Sequence, residues 1–206
     1  MRAAGAVAVA VMLAACGHSA AVGRLDGVLQ LPVRVLGADG IEEPRDSADA
    51  LRYALALVPG AIFGVADSRT LRQLNVDKAR VALDTTALTA WAQSGATAWK
   101  AANTANLQVA PADARLARLM TAAFSPQGDS RLGVGVHDLA ADTNLILVFV
   151  DRACSVTGDY GAAPGEVVHF ALHFPAAGIY WVRTAPQQPI IAVAPASPTL
   201  DVRTRG

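Results

Sequence analysis

The side chains that could do chemistry near neutral pH are few: four histidines and two cysteines in 206 residues. His137-Asp138 could supply the base and orienting acid of a hydrolytic triad, with histidine taking a proton from a nucleophile. No Gly-x-Ser-x-Gly elbow accompanies it, and Ser155 beside Cys154 has no elbow of its own. A triad would therefore have to assemble from residues distant in sequence. His169 and His173 stand four apart, a spacing that lets a helix aim both at one ion. On a strand the same spacing spans about 13 Å, too far for a shared metal. Their segment, EVVHFALHF, alternates Val168, Phe170, Leu172 and Phe174 with His169, Ala171 and His173. It reads as a strand with both histidines on its solvent face.

Other ligand types fare no better. Asp138, Asp142, Asp151 and Asp159 surround the apolar run NLILVFV, but their spacing is not that of a calcium-binding EF-hand loop. GVGV in RLGVGVHDL leads into β-type sequence rather than a helix start, so it is no phosphate loop. No metal or cofactor is expected. Trp91 and Trp99 would lie about 80° apart on a helix, with Gly95 forming a notch between them. That is an aromatic platform for an apolar ligand, or two tryptophans of a core.

The first residues address location. Arg2 is the only charge before Arg24, and Ala3 to Ala15 is an unbroken run of small and apolar residues. As a helix it reaches about 20 Å, short of the roughly 30 Å bilayer core, which suits a secretory signal. Leu13-Ala14-Ala15-Cys16 resembles the lipobox of bacterial lipoproteins. The resemblance implies cleavage before Cys16, a lipid on its thiol, and anchoring to membrane lipid by two or three acyl chains. Gly17 in place of Asp implies, by the same resemblance, the outer membrane, facing the periplasm. With Cys16 so used, Cys154 has no partner within the chain. It is expected to be buried and inert, and stability must come from core burial. Nearby Arg152 would favour its thiolate and Asp151 would oppose that.

Lys+Arg and Asp+Glu balance at 17 each, with no basic block, so no nucleic-acid partner is expected. Hydrophobic residues make up 53% and charged ones 17%, a globular composition.

These groups must be positioned by strands. LDGVLQLPVRVL alternates like a strand, and Pro32 suits an edge. ADALRYALALVPGAIFGVA could begin with a short helix, or form two strands turning at Pro59-Gly60. ARVALDT reads as a strand. The stretch 86–125 is expected to be a helical insert, clearest over residues 111–125. There Leu116, Leu119, Met120, Ala123 and Phe124 follow helical spacing behind Pro111 and Asp113. From Arg131 on, RLGVGVHDL, NLILVFVDR, EVVHFALHF, GIYWVRTA, PIIAVA and TLDVRT are six candidate strands. NLILVFV is apolar on both faces, as in a strand covered on both sides. The turn FPAAG followed by GIYWVRT resembles the tyrosine corner of immunoglobulin-like and fibronectin-type sandwiches, with Tyr180 as the corner residue. The paired cysteines and strand tryptophan of antibody domains are missing.

The expected fold is mainly β (α+β overall), a β-sandwich-like body with a small helical insert. The expected organisation is a signal (1–15), a tether (16–23), a mixed region (24–128) and a sandwich-like region (129–206), or one domain over 24–206. The expected function is a lipid-anchored envelope protein that binds or scaffolds. Its partner would be an envelope protein or a cell-wall component. The alternatives are a periplasmic hydrolase using His137 with a serine and an Asp, and a carrier whose Trp91 and Trp99 line an apolar pocket.

Overall fold

A computed structural model describes residues 22–62, 71–99, 106–126, 131–163, 166–185 and 188–203. Cys16 and the lipobox lie outside the described residues, as does the later part of the second strand expected after Gly60.

The protein is mainly β and sandwich-like. The first elements in chain order are β1 (Val28–Leu36), α1 (Arg45–Asp49), β2 (Arg52–Pro59), β3 (Leu71–Leu74), β4 (Val76–Asp77), β5 (Arg80–Asp84), α2 (Thr85–Gly95), β6 (Thr97–Ala98), β7 (Asn106–Ala110) and β8 (Arg115–Phe124). Then come β9 (Arg131–Asp138), β10 (Thr143–Val150), β11 (Cys154–Ala163), β12 (Glu166–Phe174), β13 (Gly178–Thr184), β14 (Ile191–Ala192) and β15 (Pro198–Arg203). One large sheet runs β14-β13-β10-β8-β9-β15-β1-β5-β4, with β2 and β6 on β8 and β3 on β2. A second sheet holds β12, β11 and β7.

β10 is the hinge of the architecture. Its alternate side chains Leu145, Leu147 and Phe149 enter one core, and Ile146, Val148 and Val150 enter another. Strand alternation explains the split, and the doubly apolar sequence is what a strand buried on both faces requires. The first core gathers side chains from both arms of the large sheet, including Leu31 of β1, Leu55 of β2 and Val202 of β15. The sheet therefore curls around it, and Leu88 and Ala92 of α2 pack against it as well. The second core lies between β13-β10-β8 and the three-stranded sheet, filled by Val156, Phe170, Leu172 and Phe174. Burying each such side chain contributes roughly 1.5–3 kcal/mol. Strands from both halves of the chain share one sheet: β8 pairs β10, and β1 pairs β15 in parallel.

Two sequence expectations need correction. Residues 115–124 form a strand, not a helix. Their apolar spacing fits a helix, yet Leu116 faces one core while Ala117, Leu119 and Ala123 face the other. β8 pairs along both edges, with β2 and with β10. Those ladders, together with burial on both faces, outweigh the helix preference of Ala, Leu, Arg and Met. Among the described residues the helical insert is thus α2 alone, begun by the Asp84 carboxylate, which accepts from the Ala87 amide at 3.1 Å. The second correction concerns Pro32. β1 is not an edge strand: it pairs antiparallel with β5 through Val28–Pro32 and parallel with β15 through Val33–Leu36. Pro32 stands where the partner changes, a place where its missing N–H costs the ladder least.

At the corner between β12 and β13, the Tyr180 hydroxyl donates to the Ala176 carbonyl at 2.8 Å. The chain passes there from the smaller sheet to the larger one.

Candidate functional site: a polar cleft over a glycine strand

The histidine motif leads to a polar cleft of about 600 Å³. It lies on the outer face of β9, β10 and β15, whose inward side chains anchor it. Val136 of β9, Leu145 of β10, and Leu200 and Val202 of β15 are all in the first core. Alternation then turns the intervening positions to the other face: Gly135 and His137, Asn144, and Thr199, Asp201 and Arg203. Register sets them side by side. His137 stands opposite both Asn144 and Thr199, and Gly135 stands opposite Asp201, which stands opposite Arg34.

The His137 Nε2 lies 3.3 Å from Asp142 Oδ1, on the turn between β9 and β10. Asp142 sits at φ +50 and its carboxylate is almost fully exposed. Asp201 is held from two sides. The Thr199 hydroxyl donates to its Oδ1 at 2.9 Å, and Arg34 Nη1 approaches its Oδ2 at 3.6 Å. Arg34 Nε in turn donates to Glu42 at 3.2 Å. Gly135 lies open between these groups: a Cβ placed there would meet nothing within 4 Å. The arrangement offers a histidine, an amide, two carboxylates and a guanidinium around a bare strip of backbone. That suits recognition of a polar molecule by hydrogen bonds and charge.

Asp138, the sequence neighbour of His137, points the other way. It is buried and accepts from the amides of Ser197 at 3.0 Å, and of Ala196 and Ala140 at 3.2 Å. It clips the 194–197 loop to the β9–β10 turn. The other aspartates of the apolar run are scattered. Asp151 accepts from the Arg115 amide at 2.8 Å, and Asp159 faces His169 across β11 and β12 at 2.5 Å. No cluster of metal-ligating side chains occurs among the described residues. His169 and His173 are exposed on the outer face of β12, and Phe170, Leu172 and Phe174 are buried.

The two tryptophans do not share a face. Trp91 on α2 packs against the first core; Trp99 lies beyond the helix end and packs against the second, edge-on to Phe170 at 6.4 Å. The notch at Gly95 is closed by Leu57, whose Cδ1 stands 2.5 Å from where a Cβ would be. Cys154 is buried in the second core, and that burial is the main reason its thiol pKa is pushed up to about 11. Asp151 adds to the rise and Arg152 opposes it.

Sequence reading found His137 but missed Gly135, Asp142 as its partner, Asn144, Asp201 and Arg203. The signal was present in the alternating glycines of RLGVGVHDL and the alternating polar residues of TLDVRT.

No family model, curated protein or solved structure matches this chain, so its own chemistry has to indicate function.

Proposed function

We propose that this is a lipid-anchored protein of the bacterial cell envelope, held at the outer membrane through Cys16, whose body binds a polar partner in the His137 cleft. The cleft carries the reading: three strands and a turn converge polar side chains on an open strip at Gly135. Binding is favoured over hydrolysis by the fate of the nearby hydroxyl. Thr199 Oγ bonds Asp201, with the His137 carbonyl oxygen at 3.3 Å, and the imidazole Nε2 lies 3.3 Å from the Asp142 carboxylate rather than from a hydroxyl. The surface where the chain enters the body also suits an anchor. Val22 and Val28 are exposed beside an apolar groove of about 590 Å³ that includes Leu29, Trp181 and Pro195. Cys16 precedes Val22 by six positions, a reach of at most about 20 Å.

The anchor is tested by Cys16→Ala and cell fractionation. The expected result is loss of the protein from the membrane fraction; retention there overturns the anchor. The cleft is tested by Gly135→Leu, which fills it from an open position. Loss of co-purifying envelope components with an unchanged melting temperature is expected, and an unchanged set of them overturns the cleft's role.

A further inference from the structure

β9 lies inside a sheet, between β15 on one side and β8 and β10 on the other. Its register places Gly133 opposite Arg203 and Gly135 opposite Asp201. Glycine inside a strand is destabilising relative to alanine. It often marks a place where another molecule approaches the backbone. The open space over Gly135 is such a place, and the charges along it are not uniform.

At one end stands Arg203, exposed and without an ion-pair partner among the described residues. The adjacent Asp201 is already engaged by Arg34 and Thr199. At the other end stands the exposed carboxylate of Asp142, beside His137. His137 is four residues along β9 from the position opposite Arg203, a separation of about 13 Å. A complementary ligand carries a carboxylate at one end and an ammonium group at the other, separated by about that distance. An extended chain of four residues spans about 13–14 Å, and its two free termini are those two groups at neutral pH.

Building on the binding role proposed for the cleft, we infer that it takes a short peptide of about four residues with both termini free. The terminal carboxylate pairs with the Arg203 guanidinium, which can donate two parallel hydrogen bonds. The terminal ammonium pairs with Asp142. The peptide backbone crosses Gly135, where a larger side chain would block it, and the Asn144 amide is placed to meet it.

The experiment is isothermal titration calorimetry on the full-length protein in detergent. The probes are tetra-alanine, its N-acetylated form, its C-amidated form, and digalacturonate as a peptide-free acid. Tetra-alanine is expected to bind, and each blocking group to weaken it at least about tenfold, the value of one charge-assisted contact. Arg203→Gln should weaken tetra-alanine similarly while leaving the C-amidated peptide unaffected. Asp142→Asn should do the same with respect to the N-acetylated peptide. Each variant is checked for an unchanged melting temperature. Equal binding of free and blocked peptides, or no binding of tetra-alanine, overturns the inference. If digalacturonate binds instead, and Gly135→Leu abolishes it, the peptide inference falls while the cleft's binding role stands.

Discussion

The Tyr180 hydroxyl donates to the Ala176 carbonyl oxygen at 2.8 Å, four residues back, at the corner where the chain leaves one sheet for the other. The ring is fully buried and lies 4.9 Å from that of Phe174. Tyr180→Phe keeps the packing and removes the bond. Stability should fall by about 1 kcal/mol, the net value of one such bond. Urea denaturation should show a lower midpoint with an unchanged slope.

Asp138 is a different case, because its buried carboxylate serves three backbone amides. Asp138→Ala leaves those amides without their acceptor and frees the 194–197 loop. A loss of about 2–3 kcal/mol is expected, as for hydrogen bonds to a charged group. Asp138→Asn retains an oxygen acceptor and should lose less. Thermal melts of the two variants check the order.

Two glycines should respond in opposite ways. Gly158 on β11 has φ +114, and a Cβ there would run into the Asn106 carbonyl oxygen of β7. Gly158→Ala should therefore cost more than 1 kcal/mol through strain and loosen β7 from β11. Hydrogen exchange at residues 106–110 should speed up. Gly135→Ala, at an open position, should leave the denaturation midpoint close to that of the wild type or raise it slightly.

Cys154 links stability to alkaline pH. Its thiol is pushed up to about 11, mainly by burial, and the Tyr53 and Tyr180 phenols are raised chiefly by the same cause. These groups hold their protons more tightly folded than unfolded. Their contribution is complete below the ordinary thiol value of about 8.5. It declines as pH rises through the folded value of about 11. Stability should drop by about 3 kcal/mol across that interval. Cys154→Ala, less stable at neutral pH, should show a shallower fall. Thiol reagents should label Cys154 rapidly in denaturant and scarcely at all in the folded protein at pH 8.

Much of the framework was legible where one pattern had one meaning. Phe170, Leu172 and Phe174 alternate with exposed residues, and β12 does face one core with them. NLILVFV, apolar throughout, does sit between two cores. The reading failed at β8, where residues buried on both faces erase the period-two signal and leave a spacing that also fits a helix. It missed β11, whose Gly158 and Gly161 interrupt the alternation, and the short β7 that pairs with it. For the cleft, His137 stood out by its chemistry, and the alternation of RLGVGVHDL and TLDVRT marked only which residues share a face. Asp201 and Arg203 become its neighbours through the β9–β15 register, a pairing between segments more than sixty residues apart that no local pattern encodes.

The parallel alignment of β1 with β15 has a temporal side. The ribosome delivers β1 well before β15. Until β15 is made, half of β1 and the outer edge of β9 present bare amides and carbonyls to whatever extended chain drifts by. A newly made copy is thus most vulnerable to intermolecular pairing just before β15 arrives, and a chain cut short of Pro198 would keep that vulnerability for good.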